Sequence, residues 1–428
     1  MLGSAAQNVI ALSDSVFLYH LSELDFAAIG FVGVFYLVIA AIGYGFSRGG
    51  QIMIARRMGE GKEEEVGRTF YAMLYFELAL AFVLFLFMQY GADSFFSFFV
   101  ESQSIHQKSL EYLDYRSWGV FFSYLGVAIV ALYTGVARTS FIIVDTSILA
   151  IINIALNYGL IFGRWGLPEM GIAGAGLAST IAEVVAFIIF VVYVLLDKKA
   201  NDYRLFQIPS IDFDLIRQQY KLALPIVAQA FVGLGSWFVF FGIVENLGER
   251  ELAISNLVRM VYLMLSIPCW GFASGVNTLV SNFIGQGKKQ VVLPIIWKTA
   301  KICWITTMLI TVPVVLYPQQ ILYPLLGGTD AALIADSQVI LYLLMVILTV
   351  FSVGGVYFNG LAGTGATYFG LKIQMVSVVI YLVYIYTVVN YSDLGLSWAW
   401  GAEIIYWIFI ITVTVWYLRS GKWHKLKV

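Results

Sequence analysis

The sequence predicts an all-α membrane protein, with twelve transmembrane helices in two pseudosymmetric six-helix lobes. Three observations carry that prediction. The first is composition: 60% of residues are hydrophobic, 12% are charged and the mean hydropathy is +0.85. A soluble surface needs about a quarter charged residues. The second is length, because twelve apolar runs approach or exceed the roughly 20 residues that cross a bilayer as a helix. The third is an internal repeat. Residues 21–62 align without a gap on residues 247–288, 226 positions later, with twelve of 42 positions identical. Among the identities are Glu23/Glu249, Tyr36/Tyr262, Gly45/Gly271, Gly49/Gly275 and Lys62/Lys288. A long repeat in a hydrophobic chain is how many carriers are built, with two halves moving about a shared site.

In chain order the predicted spans are 1–20, 26–56, 67–92, 114–137, 140–163, 171–196, 222–246, 252–284, 294–317, 338–361, 369–390 and 395–418. The repeat lays the second span on the eighth, which pairs span 1 with span 7 and span 6 with span 12. Two weaker echoes keep that pairing. Gly135-Val136-Ala137-Arg138-Thr139 answers Gly360-Leu361-Ala362-Gly363-Thr364 after spans 4 and 10. Gly171-Ile172-Ala173-Gly174-Ala175 answers Gly395-Leu396-Ser397-Trp398-Ala399 at the start of spans 6 and 12. The division expected is an N-lobe over 1–200, a polar linker over 201–221 and a C-lobe over 222–428. Within the linker, Ser210 before an amphipathic run reads as the N-cap of a short surface helix. The counterpart of Pro225 would fall just before Met1, so the first lobe is expected to be clipped of such a lead-in.

Charge sets the orientation and narrows the partners. Of the 25 Lys and Arg residues, nineteen fall on one side of the predicted spans and four on the other (Lys108, Arg116, Arg164 and Arg250). By the positive-inside rule both termini are cytoplasmic. The net charge of −1 gives no sign of a nucleic-acid partner. Cys269 and Cys303, the only cysteines, read as small buried hydrophobes rather than a disulfide or metal pair.

Ionisable and amide side chains inside apolar runs are the candidates for function, since a charge at a helix centre costs about 2.5–3.5 kcal/mol on insertion scales. Asp14 leads them, about 10 Å in from the His20 end of span 1 at 1.5 Å per residue. Its carboxylate is suited to bind a proton or a cation, with Gln7 two turns earlier on the same face as a cavity candidate. Asn153 and Asn157 share a face of span 5, and their carbonyl oxygens suit either Na⁺ or helix-to-helix hydrogen bonds. Thr180 in span 6 offers a hydroxyl. Glu77, Asp145, Glu183, Glu245, Glu403, Lys301 and Arg259 read as interfacial or ion-paired. Gly45-Phe46-Ser47-Arg48-Gly49 matches a nucleophile elbow only in letters, because it lies in a hydrophobic helix. Gly59-Glu60-Gly61-Lys62 and Gly285-Gln286-Gly287-Lys288 lack the Walker spacing and read as helix stops. With no nucleotide, zinc or haem motif, the expectation is transport driven by an ion gradient, with no cofactor and no enzyme activity.

These residues carry a resemblance. The segments LSDSVFLYHLSELDFAAIG, LYTGVARTS, NIALNYGLIFGRWGLPEMGIAGAGLAST and LALPIVAQAFVGLGSWFVFFGIVENLG resemble the multidrug and toxic compound extrusion (MATE) family, over essentially the whole length. The resemblance implies an antiporter of the inner membrane, driven by H⁺ or Na⁺, that exports organic cations and other amphipathic compounds as a monomer. It further implies an N-lobe cation site at Asp14, Asn153, Asn157 and Thr180, where Na⁺ is the metal. Asn157 follows the NorM branch; many members of the DNA-damage-inducible branch carry Asp there. NorM-like members also use a Glu in span 7 and an Asp in span 10. Gly233 and Ser352 stand at those places, which speaks against a C-lobe ion site of that kind. The rival within the same superfamily is a flippase of lipid-linked oligosaccharides. Such a flippase needs cationic side chains for a pyrophosphate, and only Arg48 and Arg259 offer themselves.

Overall fold

The computed structural model describes the backbone of residues 6–325, 331–392 and 394–426, and the side chains of 10–323, 332–392 and 394–426. The described residues form helices and connecting turns, with no strand among them. The chain divides into two compact units, Leu2–Ala223 and Leu224–Val428.

The first unit opens with α1 (Ala6–Tyr19) and the long α2 (Glu23–Gly59). Ser22 caps α2 by accepting a hydrogen bond from the Asp25 N–H at 3.0 Å. Glu23 and Asp25 sit in its first turn and Arg56 and Arg57 in its last, each sign at the dipole end that favours it. Next come α3 (Glu64–Leu86), a π turn at Phe87–Gly91 and α4 (Ala92–Phe96). Helix α5 (Gln103–Arg116) then turns by 56° into α6 (Gly119–Gly135). Helices α7 (Ser140–Phe162) and α8 (Gly171–Leu196) finish the bundle. Helix α9 (Phe213–Val244) passes from the first unit into the second.

In the second unit α10 (Glu249–Leu265) and α11 (Ile267–Gly285) meet at a 44° bend, where Pro268 lies in the first turn of α11. They are followed by α12 (Val292–Leu316), α13 (Pro318–Leu325), α14 (Ala331–Asp336), α15 (Gln338–Gly363), α16 (Thr367–Tyr391) and α17 (Leu396–Arg419). Among the described residues, nine helical stretches are each long and apolar enough to span a bilayer, the two bent pairs raise that to eleven, and α1 adds a shorter apolar helix. They fall in chain order on the twelve predicted spans. The departures are the breaks inside spans 4 and 8, which a window of mean hydropathy averages away.

The linker differs from expectation. No separate helix starts at Ser210. Asp212 is the cap instead, accepting from the Leu215 N–H at 3.0 Å, and the amphipathic run forms the first turns of α9. The stretch before it is stitched to the first unit. Tyr203 and Leu205 are buried in the core with Val66 and Phe70 of α3. The Gly67 N–H donates to the Tyr203 carbonyl at 2.9 Å. The hydroxyls of Tyr71 and Tyr75 donate to the carbonyls of Leu205 and Pro209. Farther on, the Gln219 amide donates to the Thr69 carbonyl at 2.7 Å. Residues 201–221 are therefore part of the first unit, and not a tether beside it.

The two cores are built differently. Among the described residues, most buried apolar side chains of the second unit form one continuous cluster. Those of the first group into three separate clusters among the described residues. On α1, Ile10 belongs to one cluster and Leu18 to another, one turn to either side of Asp14.

Candidate functional site

Asp14 lies on the buried stripe of α1 and is 0% exposed. The facing stripe of α7 runs Asp145, Leu149, Asn153 and Asn157 at four-residue spacing, and all four are buried. On α8 the stripe runs Ala175, Ser179 and Glu183. A helix presents residues four apart on one face, so the sequence itself brings these polar groups into one layer of the bundle.

The layer centres on the Asp14 carboxylate. Asn157 Nδ2 donates to Oδ1 at 2.8 Å and Asn153 Nδ2 donates to it at 3.3 Å. The Ser179 hydroxyl lies 2.9 Å from Oδ2 and 3.1 Å from Oδ1. The Tyr112 hydroxyl, from α5, donates to Oδ2 at 3.1 Å. Asn157 also reaches the Ser13 hydroxyl at 3.1 Å, and its own Oδ1 is buried without a hydrogen-bond partner. Among the described residues Asp14 has no ion-pair partner, so four neutral donors from three helices satisfy it.

A second buried pair lies one turn away on the same two helices. Arg116 is four residues beyond Tyr112 on α5, and Glu183 is four beyond Ser179 on α8. Arg116 Nη1 donates to Glu183 Oε2 at 2.6 Å and Nη2 donates to Oε1 at 2.7 Å. The guanidinium stacks over the Tyr36 ring, 3.8 Å from its centroid. Two glycines allow so close an approach. A side chain at Gly119 would run into the Arg116 guanidinium and the Glu183 carboxylate, and one at Gly176 into the Tyr112 carbonyl. This fork-to-fork pairing satisfies both charges, which is the condition on which a buried pair survives.

Of the residues picked from sequence, the structure brings Asp14, Asn153 and Asn157 together. Thr180 is not among them: its hydroxyl donates to the Tyr115 carbonyl at 2.9 Å, and Ser179 faces the carboxylate instead. One step along a helix turns a side chain by about 100°, which is enough to exchange the two. The side chain of Gln7 lies outside the described residues. Arg116, counted by sequence on the outer side near the start of span 4, is buried. Sequence reasoning missed Tyr112, Ser13 and Ser179. Tyr112 fell before the predicted start of span 4, and a lone serine in a span carries no signal. Ser47 of the false elbow lies within α2 and donates to the buried Glu77 at 2.8 Å. Among the described residues no group of three or more His, Cys, Asp or Glu is placed to hold a metal ion.

The oxygen set nonetheless suits a small hard cation. The Asp14 carboxylate, the Asn153 and Asn157 amide oxygens and the hydroxyls of Ser13 and Ser179 are all hard donors. The unsatisfied Asn157 Oδ1 is an acceptor with nothing yet to accept. The same carboxylate is equally able to take a proton.

The MatE family model matches residues 1–159 and 225–387. The chain belongs to the MatE family. It is thus a multi-pass membrane transport protein. A relative in Thermotoga maritima, "Probable multidrug resistance protein NorM", is 24% identical over 99% of this chain and 90% of its own length. A NorM relative in Streptococcus pneumoniae strain R6 is 29% identical over 54% of this chain and 51% of its own. Among solved structures, the fold of this MatE chain is similar to a MATE crystal structure in the bent conformation. That match has a TM-score of 0.87 and 19% identity, over 99% of this chain and 94% of that one. An outward-facing multidrug resistance MATE transporter matches with a TM-score of 0.88 at 19% identity, over 100% and 94%. A MOP superfamily transporter from Pyrococcus furiosus matches at 0.87 and 19%, over the same shares.

Proposed function

We propose that the protein is a cation-coupled antiporter of the inner membrane that exports amphipathic, organic cations. In this reading H⁺ or Na⁺ is taken up at Asp14 and substrate leaves the cytoplasm in exchange. One observation carries the proposal: a fully buried carboxylate is held by neutral donors alone, in a chain of a transporter family. A fixed arginine would have satisfied the charge permanently, as Arg116 does for Glu183. Without one, the charge is costly unless a mobile cation visits it.

The donors supply the coupling. While Asp14 is ionised it gathers α5, α7 and α8 around α1 through Tyr112, Asn153, Asn157 and Ser179. A proton on the carboxylate removes the charge that orients those donors. A sodium ion would draw the amide oxygens inward in place of the NH₂ groups. Either event favours a different arrangement of the first unit, and transport follows if ion and substrate prefer opposite arrangements. The names of the NorM relatives support small-molecule export. The bias of Lys and Arg supports cytoplasmic termini. As each chain carries both repeats, a monomer suffices.

The test is organic-cation flux in proteoliposomes under an imposed H⁺ or Na⁺ gradient, with wild type beside Asp14→Asn. Flux driven by one ion and lost in the variant is expected, and it names that ion. Full activity in the variant would remove Asp14 from coupling. No flux with either ion would turn attention to lipid-linked sugars as substrate.

A further inference from the structure

The second unit holds its own buried carboxylate on the helices that answer α1, α7 and α8. The segments that begin α8 and α17 match at an offset of 224 residues (Gly171 and Gly395), and Ser179 and Glu403 stand the same 224 apart. Asn157 and Tyr381 keep that offset as well. At the offset of 226 set by the long repeat, the counterpart of Asp14 is Phe240. The second unit has therefore moved its carboxylate from the first helix of the lobe to the last. Phe240 fills the vacated place, buried, with its ring 6.1 Å from that of Tyr381.

Glu403 is 4% exposed. Its Oε1 accepts from the Tyr381 hydroxyl at 3.1 Å and from Trp237 Nε1 of α9 at 3.2 Å. One turn along α17, the Trp407 Nε1 is buried with no hydrogen-bond partner. The titratable groups around Glu403 are phenols: Tyr381 from α16, Tyr406 from α17 itself, and Tyr262 from α10, whose ring lies 5.4 Å from that of Trp237. Helix α15 presents Phe351, 4.8 Å from the Trp407 ring, and contains no charged residue. The cations of the neighbouring helices are engaged elsewhere. Arg259 lies over the Phe241 ring, and Lys372 over the Tyr368 ring. Arg419 is at the far end of α17. Toward the start of α9, Asp214, Arg217 and Lys221 are at least sixteen residues from Trp237. Among the described residues Glu403 has no ion-pair partner.

We propose that Glu403 is a second proton-binding site of the transporter, chemically distinct from the Asp14 site. The distinction lies in the neighbours. An indole N–H can only donate, and among the described residues the hydrogen bonds to Glu403 bring one other oxygen, the Tyr381 hydroxyl, too few to encircle a metal cation. A lone carboxylate among donors can accept and release H⁺ but cannot replace the hydration shell of Na⁺. The step is a reversible protonation, in which a proton leaves a hydronium ion for a Glu403 carboxylate oxygen and returns to water on release. The inference deepens the antiporter reading and rests on it for its transport consequence.

Infrared difference spectroscopy of the full-length protein in lipid, titrated across the carboxylic-acid range, tests the site directly. The wild type should show a carboxyl component that is lost in Glu403→Gln, displaced in Glu403→Asp and kept in Asp14→Asn. Trp237→Phe should shift the midpoint of that component alone. In proteoliposomes, Glu403→Gln should lower the steepness of proton dependence by about half while export persists. A titration unchanged in Glu403→Gln would overturn the proposal, because Glu403 would then keep one protonation state throughout. If the component is found but no variant alters flux, the site stands and the antiporter reading fails.

Discussion

The two units answer each other helix by helix, yet they bury polarity in opposite ways. In the first, Asp14 sits among amides and hydroxyls, next to the closed Arg116–Glu183 pair, and the apolar core is split around them. In the second, Glu403 sits among aromatic rings within one continuous core. Among the described residues the Asp14 carboxylate is met by amide and hydroxyl groups, and the Glu403 carboxylate by an indole and a phenol. The comparison teaches that a shared backbone plan does not carry a shared polar environment. A change of side chains at three equivalent positions turns an oxygen-rich site into a donor-lined carboxylate.

The largest effect expected from breaking this contrast comes from the ion pair. Arg116→Met leaves Glu183 buried and uncompensated, and should cost about 3–5 kcal/mol. The double variant Arg116→Met with Glu183→Leu should recover most of that loss. Glu403→Gln strands no partner charge and should cost about 1 kcal/mol or less. Thermal melting of the purified variants in one detergent ranks them. Equal losses for Arg116→Met and Glu403→Gln would mean that the second unit hides an ionic partner too.

A smaller effect separates the neighbours Ser179 and Thr180. Ser179→Ala removes the hydroxyl that lies between both Asp14 oxygens, and should shift the ion dependence of flux by about tenfold, equivalent to about 1.4 kcal/mol. Thr180→Val forfeits one bond to a backbone carbonyl and should leave the ion dependence unchanged. The opposite ranking would return Thr180 to the site that the family resemblance implied.

The smallest effect lies outside the membrane, where the first unit is also tied by charge. Burial works against the Asp197 anion, but hydrogen bonds from Arg138, the Lys199 N–H and Tyr133 hold its carboxyl below the usual carboxylate range. A depressed value in the folded state means that the contribution is complete above the unfolded carboxyl's value and is lost as pH falls through the folded one. Asp197→Asn should thus lower the melting temperature slightly at neutral pH, and the difference from wild type should vanish in acid. A difference that persists in acid would assign the effect to packing.

Much of the architecture was legible because a bilayer demands long apolar runs, and the repeat gave their pairing. Asp14, Asn153 and Asn157 were legible for the same reason, since polar groups stand out in such runs. What escaped was whatever depends on rotation or on bends. Ser179 and Thr180 differ only in which way the helix turns them. Arg116 and Tyr112 lie on α5, whose 56° bend into α6 carries a polar helix into the core. Glu403 was visible in span 12, but without its partners it was indistinguishable from an interfacial residue.

The docking of residues 200–219 on α3 has a consequence for synthesis. Every side chain of the Asp14 site is encoded before residue 184, and Tyr203 and Leu205, which join the core beside α3, follow some twenty residues later. Chains emerge from the ribosome N-terminus first, and units fold as they are completed. The seal arrives on the linker itself, ahead of nearly everything in the second unit. The unit that holds Asp14 is then nearly finished while most of its counterpart has yet to be made.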